Sequence, residues 1–371
     1  MTAPVAPPIA SVMPPPGPVF VEVWRGGFLE AVHRGSLAVC TPEGALVEAL
    51  GDIERPILPR SAVKMLQALP LVESGAADAV GLDAPTLALA CASHSAAPVH
   101  TAMVHRWLAH LGTDVSALRC GAHPPKDPAA RRALLCAGQP PGQEHNNCSG
   151  KHCGMLTLSR HLGAGPAYVE PDHPVQRAIR AALAETAGCE PAGYGIDGCS
   201  APNFALSLRA IATALARLAR PRAAAAALGP TRAAAAERLV AAMAAHPVLV
   251  AGEERANTAL LRAASHQGRI RAVVKSGAEG SYTAILPERG LGVALKIEDG
   301  GDRASAAAMA AVLARLGAVA ADDPRVAGLT AQTLTNANGW RIGTLCAAAT
   351  LSPTTGPGAN PEATANTNPA G

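Results

Sequence analysis

Strand-like sequence lies at both ends of this chain with helix-like sequence between, and that order limits the folds open to it. From Phe20 onward, VEVWRGG, FLEAVHRG and SLAVCTPEGALVEALGD are short apolar runs parted by Gly-containing turns, the pattern of an antiparallel meander. Far downstream, RIRAVVKSGAEGSYTAILPERGLGVALKIEDG repeats that pattern as three antiparallel strands. The middle carries helical spacing instead, in SAVKMLQALPLVE, APTLALACASHS, PVHTAMVHRWLAHLG, HPVQRAIRAALAETAG, a stretch from about Leu206 to Ala219, and the Ala-rich run that follows. SAAAMAAVLARLGA supplies a further helix after the last strand. The expected fold class is α+β (α/β layered), an antiparallel sheet from N- and C-terminal segments packed with a mainly helical middle region.

Residues 19–350 read as a single domain. The first eighteen residues contain seven prolines and read as a flexible leader, and residues 351–371, with four prolines, read as a disordered tail. The apolar fraction is 49% but the aromatic fraction only 2%, so close-packed Ala, Leu and Val must build the core without ring stacking. A net charge of +3 with no basic stripe argues against nucleic-acid binding. No run of about 18 apolar residues and no basic-then-greasy leader occurs, so the expectation is a soluble, cytoplasmic protein without a membrane partner. Nine cysteines cannot all pair with one another, and their spacing is not that of a disulfide scaffold; most are expected as free thiols.

Chemistry concentrates in a few short motifs. Ser61 and Lys64 in RSAVK stand three residues apart, on one face of the helix expected there, where a neutral amine can take the serine proton. Alone, the spacing fits equally an N-cap serine beside a solvated lysine. Lys275 in KSG, on an expected strand, resembles the KTG element of serine acyl-transfer enzymes, and Ser93 in ASHS falls at the break between two helical blocks. Their bland alternatives are a helix cap and a surface strand. Cys148 in CSGKH and Cys199 in DGCS offer soft thiolate donors for zinc, which a neutral Lys151 amine can complete, or else are two buried unpaired thiols; His152 and Cys153 read mainly as packing. Gly26, Gly27, Gly277 and Gly280 shape turns, because no strand-GxGxxG-helix pattern is present. His100, His105 and His110 do not share one narrow helix face and are assigned to packing or solvent.

Taken in order, VEVWRGG, RSAVKMLQ, ALACASHS, NNCSGKH, GIDGCSAPN, VKSGAEG and ALKIEDG closely resemble the rhizobial-type L-asparaginases, the Asparaginase II family, which is unrelated to the bacterial type I and II enzymes. The resemblance runs from about Phe20 to Gly317. It implies a serine β-lactamase-like fold, a homodimer, and hydrolysis of L-asparagine to L-aspartate and ammonia. It also implies catalytic roles for Ser61, Lys64, Ser93 and Lys275, Zn2+ held by Cys148, Lys151 and Cys199 with a water, and supporting or substrate-binding roles for Arg60, His152 and Asp197. The segment AGEERANT departs from the family pattern, which is more Gly-rich there, and so leaves the roles of Glu253 and Glu254 open. Other readings are an amidase or penicillin-recognising serine hydrolase with the same Ser-Lys chemistry, and a zinc-dependent amino-acid-binding protein without turnover.

Overall fold

Strand β1 (Val19–Arg25) turns at Gly26 and Gly27 into β2 (Phe28–Cys40), a long strand that covers two of the apolar runs expected as separate, and β3 (Leu46–Leu50) returns along its second half. The computed structural model describes residues 15–266 and 268–351. Most of the Pro-rich leader and residues 352–371 of the expected tail therefore lie outside the described residues.

The helical middle holds α1 (Ala84–Ala90), α2 (Pro98–His110), α3 (Pro128–Cys136), α4 (Ser149–His161), α5 (Pro174–Ala187), α6 (Leu208–Ala219), α7 (Pro230–Ala245) and α8 (Ala256–Ala264). Starts follow capping chemistry. Asp83 accepts from the backbone N–H of Thr86 at α1, and Ser207 accepts from Ala210 at α6, so that helix begins two residues later than the sequence suggests.

The chain then returns to the sheet through β4 (Val273–Ser276), β5 (Ser281–Leu286) and β6 (Leu291–Ile297), followed by α9 (Asp302–Arg315) and α10 (Pro324–Thr330). A final hairpin, β7 (Ala331–Thr335) and β8 (Arg341–Ala347), was not legible in the sequence. The strand order is β4-β5-β6-β2-β1-β8-β7, with β3 also on β2, and every pairing is antiparallel. Both chain ends thus meet in one sheet: Gly292 to Ile297 pair with Cys40 to Gly35, and Val21 to Arg25 with Ala347 to Gly343.

All six residues of β5 are buried, so both faces of the sheet are covered at that strand. Helix α6 packs on β6 and β2 at very short range, because a Cβ at Gly292 would lie 2.0 Å from the Ala212 carbonyl oxygen and 2.3 Å from the Ala216 nitrogen. Small residues elsewhere let helices approach closely and replace the missing aromatics; α9 buries an almost unbroken run from Ala304 to Leu313. Among the described residues no helix is long and apolar enough to cross a membrane.

One expectation is corrected. The segment read as one helix from Ser61 is a 3-10 turn, Arg60–Val63, followed by the short helical pieces Lys64–Gln67 and Leu69–Glu73. Arg60 enters with φ of +53°, and Pro70 has no N–H to continue the ladder.

Candidate active site

Ser61 and Lys64 leave the 3-10 turn in different directions. Ser61 is half-buried in the wall of a cavity, whereas Lys64 is fully buried and its Nζ reaches Ser93 Oγ at 3.1 Å, Cys148 Sγ at 3.1 Å and the Ala92 carbonyl oxygen. Three acceptors match the three hydrogens of an ammonium. Ser61 is not among those partners; the hydroxyl that the lysine of the SxxK motif meets is that of Ser93.

Lys275, on β4 and 1% exposed, approaches the same hydroxyl from the opposite strand, with Nζ 2.8 Å from Ser93 Oγ and 2.7 Å from the Ser276 carbonyl oxygen. Burial, reinforced by the positive charge of Lys64, holds the Lys275 amine well below the ordinary lysine range. Ser93 itself sits on the loop between α1 and α2, where its N–H donates to Val250 and the next N–H, of His94, donates to Asn147. The His94 ring is kept neutral by burial and by its stacked neighbour His100; its Nδ1 accepts from the Ala96 N–H, so its Nε2 donates to Ser149 Oγ at 2.8 Å.

Two glycines permit this assembly. A Cβ at Gly277 would lie 2.6 Å from the Pro59 carbonyl oxygen and 2.9 Å from the Ala62 nitrogen, so the end of β4 can press on the Ser61 turn only without a side chain. Thr283 Oγ1 ties the same pieces together by donating to the Ala62 carbonyl oxygen at 2.7 Å. In the CSGKH motif, a Cβ at Gly150 would lie 2.2 Å from the Leu89 carbonyl oxygen, so the start of α4 lies directly against α1 just before Ser93.

The second constellation also assembles. Cys148 Sγ, Cys199 Sγ and a carboxylate oxygen of Asp197 lie within 4.8 Å of one another, and Lys151 Nζ is 3.1 Å from Cys199 Sγ. A hydrogen bond from Cys148, helped by Lys151, pushes the Cys199 thiol down to about 5, and the same bond together with burial pushes Cys148 up to about 12. Burial opposes the charge on Lys151, but Cys199 and Cys148 outweigh it and raise the amine. Burial likewise pushes Asp197 up, yet Lys151 and Arg60 outweigh it and hold the carboxyl below its usual value. Arg60 Nε donates to Asp197 Oδ1 at 2.7 Å from its left-handed backbone, a conformation that ordinarily costs ~1–3 kcal/mol.

This donor set fits zinc: two soft sulfurs and a carboxylate oxygen within 4.8 Å of one another, with an amine against one of the sulfurs. Binding would have to expel the protons of Cys148 and Lys151. His152 is neutral, pushed down to about 3 by burial and by Lys151; its Nδ1 meets Tyr168 Oη at 3.1 Å, while its Nε2 is buried without a partner.

Ser61 and Ser93 open into a cavity of about 600 Å³ whose wall also includes Asn147, Asn257, Ser276 and Tyr282. The sequence pattern of the L-asparaginase II family matches residues 21–347. The chain belongs to that family. Its match extends beyond Gly317 and takes in the final hairpin, whose β8 pairs with β1. The family is one of hydrolases, which agrees with the paired serines and lysines gathered here.

Among curated proteins, none matches the chain. Among solved structures, the chain is similar to a β-lactamase from Mycobacterium bovis at 14% identity, covering 76% of this chain and 94% of that one, with a TM-score of 0.39. It is also similar to Mglu in its native form, at 15% identity over 86% of this chain and 73% of that one, with a TM-score of 0.46. A penicillin-binding protein homologue from Caulobacter crescentus gives 14% identity, 73% and 90% coverage, and a TM-score of 0.32.

All ten residues singled out in the sequence fall in or beside these two constellations. Sequence reading missed Asn257, whose Oδ1 accepts from the Ser276 N–H at 2.9 Å, together with Asn147 and Tyr282 of the cavity wall. Each is a lone polar residue with no spacing signal. In the AGEERANT segment Glu253 is turned away into an ion pair with Arg262, whereas Glu254 and Arg255 face the cavity.

Proposed function

We propose that the protein is an L-asparaginase that hydrolyses L-asparagine to L-aspartate and ammonia through a serine acyl-enzyme. The observation that carries this reading is Ser93 Oγ held between two buried lysines, in the wall of the cavity that Ser61 also lines, in a chain of the L-asparaginase II family. With Lys275 neutral, the Ser93 hydroxyl donates to its amine while accepting from Lys64, so a proton can cross the hydroxyl without charge separation. Ser61 attacks the side-chain amide carbon and loses its proton into this chain. That proton reaches the departing ammonia through Ser93, and water then cleaves the β-aspartyl ester. Backbone N–H groups where β4 presses on the Ser61 turn receive the developing oxyanion.

Arg60 and Asp197, paired with each other at 2.7 Å and outside the wall that Ser61 and Ser93 line, would have to part on binding to take the α-carboxylate and α-ammonium of the substrate. Cys148, Cys199 and Lys151 would hold zinc, which when bound supplies a positive centre beside the substrate. His152 is a neutral buried ring held against Tyr168.

One observation favours a second assignment of the nucleophile: Ser93 contacts both lysines, and Ser61 contacts neither. Ammonia release from L-asparagine by the wild type, Ser61→Ala and Ser93→Ala, with L-glutamine and a penicillin for comparison, tests the activity. Rapid quenching and peptide mass spectrometry then locate the β-aspartyl adduct. An adduct on Ser61 supports the main reading, an adduct on Ser93 reverses the two serines, and no ammonia from a folded, zinc-loaded protein sinks the asparaginase reading.

A further inference from the structure

The cavity is several times larger than a free asparagine, and part of its wall is built from donors that the reaction above does not use. Tyr282 on β5 is 1% exposed, and among the described residues its Oη has no hydrogen-bond partner. Asn257 at the start of α8 is 2% exposed; its Oδ1 is occupied by Ser276, and among the described residues its Nδ2 has no partner. An unpartnered buried donor costs roughly 1–3 kcal/mol, so two on one cavity wall mark a place where something else accepts.

Arg255 and Arg303 line the same cavity, and among the described residues neither is held in an ion pair. Two neutral donors and two guanidiniums suit a carboxylate, which accepts up to about four hydrogen bonds. Lys126 adds a third basic residue to the wall, and Glu254, Glu279 and Asp302 on the same wall suit a cationic side chain next to the carboxylate. None of the residues of the Cys148 and Cys199 cluster lines this cavity, so on the reading above, in which Arg60 and Asp197 take the α-groups of the aspartyl part, the carboxylate held here is a second one.

We infer that this wall holds the carboxylate of an amino acid whose α-nitrogen is acylated by the β-carboxyl of aspartate, so that β-aspartyl peptides are substrates. The inference rests on the asparaginase reading above, with the amide nitrogen substituted. The serine Oγ–carbon bond forms as the carbon–nitrogen bond breaks, and the serine proton ends on the departing α-amine. Water then splits the ester, giving aspartate and the free amino acid.

The test compares β-aspartyl-glycine, α-aspartyl-glycine and L-asparagine as substrates for the wild type, Arg255→Ala and Tyr282→Phe, with glycine and ammonia measured by chromatography. Arg255 is exposed and the Phe ring fills the Tyr282 site, so both variants are expected to fold, which circular dichroism checks. The expected result is glycine from the β-linked peptide only, with a KM for it raised about tenfold or more in each variant relative to the change for L-asparagine. Ammonia from L-asparagine without glycine from β-aspartyl-glycine overturns this inference and leaves the asparaginase reading standing. Turnover of neither substrate overturns both. Equal KM changes for both substrates in the two variants remove the carboxylate from this wall.

Discussion

Ser93 Oγ lies 2.8 Å from Lys275 Nζ, a contact between a loop of the helical middle and a strand of the C-terminal sheet. Lys64 reaches the same oxygen at 3.1 Å, so a single hydroxyl joins two buried lysines. Neither lysine has a carboxylate among its hydrogen-bond partners, and the arrangement is therefore sensitive to every proton placed on it.

Loss of the bridging hydroxyl breaks the proton route without opening a large cavity. Ser93→Ala is expected to lower kcat for L-asparagine by about 10²–10⁴ while the circular dichroism spectrum is unchanged. Ammonia release under saturating substrate checks this, and wild-type kcat in the variant would remove Ser93 from the route.

The depressed Lys275 amine sets a pH dependence. As a base it works when neutral, so kcat/KM should rise with pH through a midpoint well below the ordinary lysine value of 10.5. The stability sign follows separately. Between the folded-state value and 10.5 the unfolded chain binds the extra proton, so the cost of burying this lysine falls as pH rises across that window. Thermal melts of the wild type and Lys275→Met should therefore show the wild type gaining on the variant as pH increases, and a pH-independent difference would count against a depressed lysine.

Gly277 is a contact between two parts of the site. Gly277→Ala places a methyl 2.6 Å from the Pro59 carbonyl oxygen, so β4 must withdraw from the Ser61 turn. We expect a loss of ~1–3 kcal/mol in denaturant unfolding together with a fall in kcat, whereas a Tm change alone would place the glycine outside the chemistry.

Cys148 and Cys199 supply the soft donors of the proposed metal site. Cys148→Ser is expected to reduce bound zinc by at least about tenfold, in line with the loss of one ligand, before it disturbs folding. Metal analysis and circular dichroism on the same preparation decide it, and full zinc content with native secondary structure would reject the ligand assignment.

Much of this architecture was legible because it is local. The short apolar runs at Val19–Arg25 and Leu291–Ile297, and the helix from Pro174 with its αL glycine cap at Gly188, each carry their own signal. The final hairpin did not, since β7 alternates exposed and half-buried residues without a strong apolar face, and β8 becomes a strand by pairing with β1 at the other end of the chain. The helix expected at Ser61 failed for a related reason: the spacing was helical, but the left-handed Arg60 and Pro70 broke the ladder around it.

The sequence by itself determined which residue types could do chemistry, in Ser61, Lys64, Ser93, Lys275 and the cysteine-lysine motifs, because these lie in short runs whose order marks a family. Which lysine faces which serine was decided by tertiary structure alone. Lys64 turns from Ser61 to Ser93 because β4, α1 and α4 converge there, with Gly277 and Gly150 allowing contacts that a side chain would forbid. The unpartnered donors of Tyr282 and Asn257 belong to the same class of fact, since burial and the lack of a partner are properties of a packed chain and not of its letters.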